Sequence, residues 1–223
     1  MRPASRTPIA MSSFRTASTS PLWLASASPR RRLMLRDAGF EVVVHPPDVD
    51  DGALRPGHVT PEQWVMALAY FKARRVADRL RGLSNRYALW NEPARFGRPG
   101  VVIGADTVCV ANHAILGQPR DADQAREMLQ LLRNTEHRTI SGVCLFSLET
   151  GERLLFCDRT VVRVGVVNDA QVDQYLASGD WREKAGAYNL SERIAAGWPI
   201  EVIGDPSTVM GLPMQRMLAM LRP

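Results

Sequence analysis

Four stretches of this 223-residue chain carry residue types that could do chemistry together. Ser26-Ala27-Ser28-Pro29-Arg30-Arg31-Arg32 sets two hydroxyls and three guanidiniums around a helix-starting proline. A helix N-terminus offers unpaired N–H groups and the positive end of the helix dipole. With hydroxyls and guanidinium forks added, such a turn either binds phosphate or is an ordinary cap with a solvated basic face. Val101-Val102-Ile103-Gly104-Ala105-Asp106-Thr107-Val108 places one carboxylate in a strongly apolar run. Burying it without a partner is costly, so Asp106 should meet a cation, a metal or a set of donors. There it could activate water or hold Mg²⁺, unless it is a strand-end aspartate bonded to backbone.

The basic residues carry a second signal. Of 28 lysines and arginines only two are lysines, Lys72 and Lys184. Lys72 falls on an amphipathic helix, and Lys184 opens Lys184-Ala185-Gly186-Ala187-Tyr188, whose small residues would let a ligand approach. An ammonium is a compact, freely aimed charge where arginine is a rigid fork, so both places are read as requiring that compact charge. Asp48-Val49-Asp50-Asp51 clusters carboxylates in a loop, either as solvated acids or as help for a divalent cation.

The elements that must position these residues follow from local pattern. A strand is predicted over Leu22–Ser26. The helix after it is capped by Ser28, turns Leu33 and Leu35 inward and stops at Gly39. Phe40–His45 reads as a strand and 46–59 as a loop. Thr60-Pro61-Glu62-Gln63 has the form of a capping box opening a helix to about Leu80, with Trp64, Leu68 and Phe71 as its apolar stripe. Residues 82–100 read as an inserted loop and Val101–Val110 as a buried strand. Asp121–Leu132 is a helix with Ala125, Met128, Leu129 and Leu132 on one face. Strands near 138–148 and 153–166 flank the turn Glu149-Thr150-Gly151. A helix runs from Asn168 to Gly179, a loop covers 183–192, a strand lies near 200–204, and a last helix starts at Pro213. Alternating helices and strands with one antiparallel hairpin imply an α/β fold with a mixed β-sheet flanked by helices.

Composition narrows the function classes. At 45% hydrophobic residues the chain can bury one substantial core, and no apolar run reaches membrane-spanning length. Residues 1–20, with no acid before Asp37, are read as a disordered tail, with Met11 as an alternative start; a single domain covers 21–223. Cys109, Cys144 and Cys157 fall in no ligand spacing and are read as reduced thiols of a cytoplasmic protein. A net charge of +5 favours anionic partners, but no recognition helix or aromatic-basic motif points to nucleic acid.

In this order and at these spacings, the segments resemble the Maf family of nucleoside triphosphate pyrophosphatases. The matches are Ser26, Ser28, Pro29, Arg30 and Arg31 to S-x-S-P-R-R, and Asp48 to Asp51 to an acidic loop D-x-D-E. Leu68 to Ala73 match L-A-x-x-K-A, Gly104 to Val108 match G-A-D-T-V, Lys184 to Tyr188 match K-A-G-A-Y, and Val209 to Pro213 match V-x-G-L-P. The resemblance spans about Leu22 to the C-terminus, and both lysines land on family lysine positions.

It implies a two-lobed Maf/ITPase-like architecture with the nucleotide in a central cleft, often as a homodimer. It also implies hydrolysis of a nucleoside triphosphate to monophosphate and pyrophosphate with a divalent metal cation, Mg²⁺ or Mn²⁺. On that resemblance Asp106 is the proton acceptor, with Lys72 and Lys184 also catalytic. Ser26, Arg30, Arg31, Gln118 and Ser191 bind substrate, and Asp51 and Asp106 serve the metal. The motif forms are closest to the subgroup acting on dTTP and UTP, with clearing of the nucleotide pool as the implied purpose.

Two departures bear on the pocket. Gln118 stands in Leu116-Gly117-Gln118-Pro119 where the family has lysine, and Asn189-Leu190-Ser191-Glu192 stands where it has G-I-Q-G. They leave open a catalytically impaired nucleotide-binding sensor or cell-division regulator as an alternative to the enzyme.

Overall fold

The computed structural model describes Phe14, residues 21–49, 54, 56–86 and 100–221, with backbone alone for 83–86. Seven strands form one sheet: β1 (Leu22–Ala25), β2 (Val42–Val44), β3 (Val101–Ala111), β4 (Ala114–Leu116), β5 (Thr135–Ser147), β6 (Arg153–Val164) and β7 (Ile200–Ile203). Their order is β2-β1-β3-β5-β6-β7, with β4 on β3. β1 runs parallel to β2 and β3, and the remaining pairings are antiparallel. Helices α1 (Pro29–Asp37), α2 (Pro61–Arg86), α3 (Ala122–Leu132), α4 (Asp169–Ser178), α5 (Leu190–Ala195), α6 (Pro206–Val209) and α7 (Met214–Leu221) flank it. The mixed sheet read from the sequence is the one observed.

Local chemistry sets the helix ends. Thr60 and Gln63 exchange the two bonds of a capping box (Thr60 N to Gln63 Oε1 2.9 Å, Gln63 N to Thr60 Oγ1 3.2 Å). Asn168 and Gln171 do the same for α4, which ends at Gly179 with a left-handed φ of 74°. Ser28 makes no side-chain cap for α1; its own N–H donates to Ser26 Oγ at 3.2 Å. The helix α2 outruns its predicted end and reaches Arg86; residues 87–99 of the expected insertion lie outside the described residues. β4, α5 and α6 were not legible, because three to six residues are too few to display a period.

The long strands β3 and β6 run from one core into another, which makes one sheet carry two lobes. In the first lobe, odd positions of β3 (Ile103, Ala105) pack with Leu35, Leu212, Met217 and Phe14, a residue of the stretch read as tail. Even positions (Val102) pack with Ala69, Ala73, Val76 and Ala77 of α2 on the opposite face. In the second lobe Cys109, Val162 and Val164 pack under Leu129, Leu132, Tyr175 and Trp198. Among the described residues no helix is long and apolar enough to cross a membrane.

Two predicted faces are corrected. Leu33 is 52% exposed while Leu35 is buried, and Phe71 is 52% exposed. The buried stripe of α2 is Val65, Leu68, Ala69, Lys72, Ala73, Val76 and Ala77, so Lys72 belongs to the buried face rather than the one opposite it. A row of alanines lets α2 come closer to the sheet than a stripe of large side chains would.

Candidate active site

Glycines on the sheet complete that close approach. A Cβ on Gly104 would lie 2.1 Å from Ala69 O and 2.7 Å from Ala73 N, and one on Gly142 would lie 2.6 Å from the carbonyl carbon of Val65. Asp106 is directly paired with Gly142 across β3 and β5 and shares the even face with Gly104. With α2 seated there, Lys72 Nζ donates to Asp106 Oδ1 at 2.7 Å. Both residues are buried, at 9% and 8% exposure. Such a pair survives burial because each charge is the other's partner and the bond is charge-assisted. The apolar strand thus meets the cation expected of Asp106.

On the odd face, one residue behind, Arg31 ties the site's walls together. Its Nε donates to Gly211 O (3.0 Å), Nη1 to Ser26 Oγ (3.1 Å) and Ala105 O (2.9 Å), and Nη2 to Thr107 Oγ1 (3.0 Å). Ser141 Oγ gives its proton to Thr208 O at 2.7 Å, so at the 2.7 Å contact between Thr107 and Ser141 it is Thr107 that donates. A polarised chain therefore runs from Arg31 through two hydroxyls to the α6 backbone. Gly211, in Val209-Met210-Gly211-Leu212-Pro213, holds a left-handed φ of 109° to bring its carbonyl in. These bonds anchor Arg31 beside Ser26. Thr107, Ser141 and Thr208 had no signal in the sequence that separated them from ordinary strand and cap residues.

Arg30 makes none of these bonds. Its guanidinium is partly buried, which lowers its pKa, while the charge of Glu192 acts in the opposite direction. That places Arg30 toward the second lobe, where Lys184 Nζ donates to Glu192 Oε2 at 2.8 Å. The loop carrying Lys184 is strongly shaped: Glu183, Gly186 and Ala187 all have positive φ (59°, 70° and 63°). Gly186 N donates to Gly117 O at 3.0 Å, joining this loop to the one bearing Gln118, and a Cβ on Gly186 would lie 3.1 Å from Cys109 Cβ. Below it Tyr188 OH meets His137 Nε2 at 2.8 Å, both buried. Burial pushes His137 down to about 4 and Tyr188 well up, so the two are a neutral anchor.

Gln118 and Ser191 are both exposed, and Ser191 Oγ donates to Asn189 Oδ1 at 3.0 Å. Asp51 lies outside the described residues, while Asp48 pairs with Arg79 at 2.5 Å. Among the described residues no three His, Cys, Asp or Glu side chains gather as a metal cage. The three cysteines are free thiols, Cys109 and Cys144 buried and Cys157 half-buried. A groove beside α4 and α5, lined by Gln171, Gln174, Tyr175, Arg193 and Trp198 among others, contains none of the residues singled out from the sequence.

Comparison with known proteins agrees with the motifs. The chain is 36% identical over 200 residues to a dTTP/UTP pyrophosphatase of Symbiobacterium thermophilum, covering 90% of this chain and 92% of that one. It is 36% identical over 204 residues to one of Anaeromyxobacter dehalogenans (90% and 92%), and 34% identical over 201 residues to one of Brucella abortus (90% and 89%). A solved nucleoside-triphosphatase / dITP/XTP pyrophosphatase of Mycobacterium abscessus aligns at a TM-score of 0.37 and 17% identity, over 65% of this chain and 74% of that one. The profile described as "Maf-like protein" matches residues 21–223. This chain belongs to the Maf family.

Proposed function

We propose that the chain is a nucleoside triphosphate pyrophosphatase that takes dTTP or UTP to the monophosphate and pyrophosphate. The observation carrying this reading is the buried Lys72–Asp106 pair, in a chain where Lys184 bonds the Glu192 carboxylate and Arg30 lies within reach of the same charge. The substrate preference rests on relatives named dTTP/UTP pyrophosphatase that share about a third of their residues with it.

In the proposed reaction a water oxygen bonds to the α-phosphorus, and the bond from that phosphorus to the α–β bridging oxygen breaks. The water's proton passes to the Asp106 carboxylate, and pyrophosphate leaves with the electron pair. Lys72 fixes the orientation of Asp106, which is what a general base requires. Arg30 and Lys184 neutralise the phosphates, and Ser26, held by Arg31, offers its hydroxyl at the end of β1. Mg²⁺ or Mn²⁺ would be held mainly by substrate phosphates and water. Asp106 would be its protein ligand, with Asp51 as the proposed second, and the ion would offset charge developing on the phosphates.

The test is a panel of nucleoside triphosphates with Mg²⁺ or Mn²⁺, scoring monophosphate and pyrophosphate, with Asp106→Asn in parallel. Cleavage of dTTP or UTP that the variant loses supports the proposal. Release of orthophosphate instead, or full activity in the variant, overturns it.

A further inference from the structure

Three of the four residues that depart from the family pattern after Tyr188 form one bonded unit. Ser191 donates from both its N–H (3.2 Å) and its hydroxyl (3.0 Å) to Asn189 Oδ1. That fixes which way the Asn189 amide points, and its Nδ2 donates to Glu192 Oε1 at 2.5 Å. The other oxygen, Oε2, accepts from Lys184 Nζ at 2.8 Å. The Lys184 side chain is 14% exposed and that of Glu192 43%, so the carboxylate sits over the ammonium from the solvent side. The same carboxylate acts on Arg30. One oxygen of this anion is thus held on Lys184, a residue assigned to the phosphates, while Asn189 fixes the other.

We propose that Glu192 is an internal competitor anion: it occupies Lys184 when no phosphate does, must be displaced for substrate to engage that lysine, and reclaims it as pyrophosphate leaves. This rests on the reading of Lys184 as a phosphate-binding residue. Glu192 then governs how tightly the product is held. A carboxylate carries one charge and pyrophosphate several, so the phosphate wins the exchange but with part of its affinity given up. An ion pair at this exposure contributes at most about 1 kcal/mol, so the loss is a few-fold in binding.

The experiment is calorimetric binding of inorganic pyrophosphate at fixed Mg²⁺ to the full chain and to Glu192→Gln, Glu192→Ala, Lys184→Met and the double variant Lys184→Met/Glu192→Gln. Steady-state hydrolysis is measured alongside. The expected result is roughly two- to fivefold tighter pyrophosphate binding in both Glu192 variants, with stronger product inhibition and a lower KM. That gain should vanish in the Lys184→Met background. Equal or weaker binding in the Glu192 variants overturns the proposal while leaving the phosphate site standing. A gain that persists without Lys184 also overturns it, since the effect would then be general repulsion. If no form binds pyrophosphate or hydrolyses a triphosphate, the reading of Lys184 fails and the competitor role falls with it.

Discussion

A methyl group on Gly104 would lie 2.1 Å from the carbonyl oxygen of Ala69, well inside any permitted contact. The absence of a side chain at Gly104 is therefore what lets α2 rest on β3 and brings Lys72 to within 2.7 Å of Asp106. Backbone stands on the helix side of this contact, so there is no flexible group to yield.

Gly104→Ala is accordingly expected to push α2 off the sheet. Overpacking of this kind costs about 1–3 kcal/mol, and more where backbone must move. Thermal unfolding should show a lowered Tm, and hydrolysis should fall by more than the stability loss explains, because the pair is pulled apart. Full activity in a folded Gly104→Ala protein would mean that the close approach does not set the catalytic geometry.

Removing Lys72 takes from the buried Asp106 the ammonium that donates to it at 2.7 Å. Breaking a buried pair from one side costs on the order of 3–5 kcal/mol. Lys72→Ala should therefore unfold at clearly lower urea, with turnover reduced roughly a hundredfold or more, the scale of losing one positioned electrostatic partner. A loss of turnover with unchanged urea midpoint would show that the pair is not a structural element in solution.

The neighbouring arginines should separate cleanly. Arg31 donates to four protein acceptors, and a lysine offers three donors from one atom. Arg31→Lys should lower the Tm and disturb both KM and kcat, because Gly211, Ser26 and Thr107 lose a common anchor. Arg30→Ala should chiefly raise KM with little change in Tm. Identical behaviour of the two variants in melting and steady-state assays would contradict this division.

His137 makes stability pH-dependent in a defined window. Its folded pKa is lowered to about 4 from the ordinary 6.5, so between these values the unfolded chain binds a proton that the folded one does not. Stability is full above about 6.5 and is lost progressively as pH falls toward 4. The whole loss is on the order of 3 kcal/mol. His137→Gln should flatten the denaturation-midpoint profile across that window. An unchanged slope would place the acid sensitivity elsewhere.

Much of this protein was legible without coordinates, and for a physical reason. Caps, helical periods and apolar strands are local properties, so Thr60–Gln63, the stripe Ala125, Met128, Leu129 and Leu132, and the apolar run around Asp106 could be read in place. The scarcity of lysine singled out Lys72 and Lys184, and the order of motifs gave the family that comparison then showed. Tertiary structure alone decided which groups meet. Lys72 and Asp106 are 34 positions apart, and their contact depends on a strand register that pairs Asp106 with Gly142 and on two glycines that admit a helix. Sequence pattern assigned the buried side of α2 to Trp64, Leu68 and Phe71; Leu68 is buried there, but close packing adds Ala69, Ala73 and Ala77, leaving Phe71 outside and Lys72 within. It grouped Arg30 with Arg31, but successive residues at a helix start point apart, one into the hydroxyl chain behind β3 and the other toward Glu192. Glu192 itself was visible only as a departure from pattern; that its carboxylate rests on Lys184 followed from how α5 folds back over the loop before it.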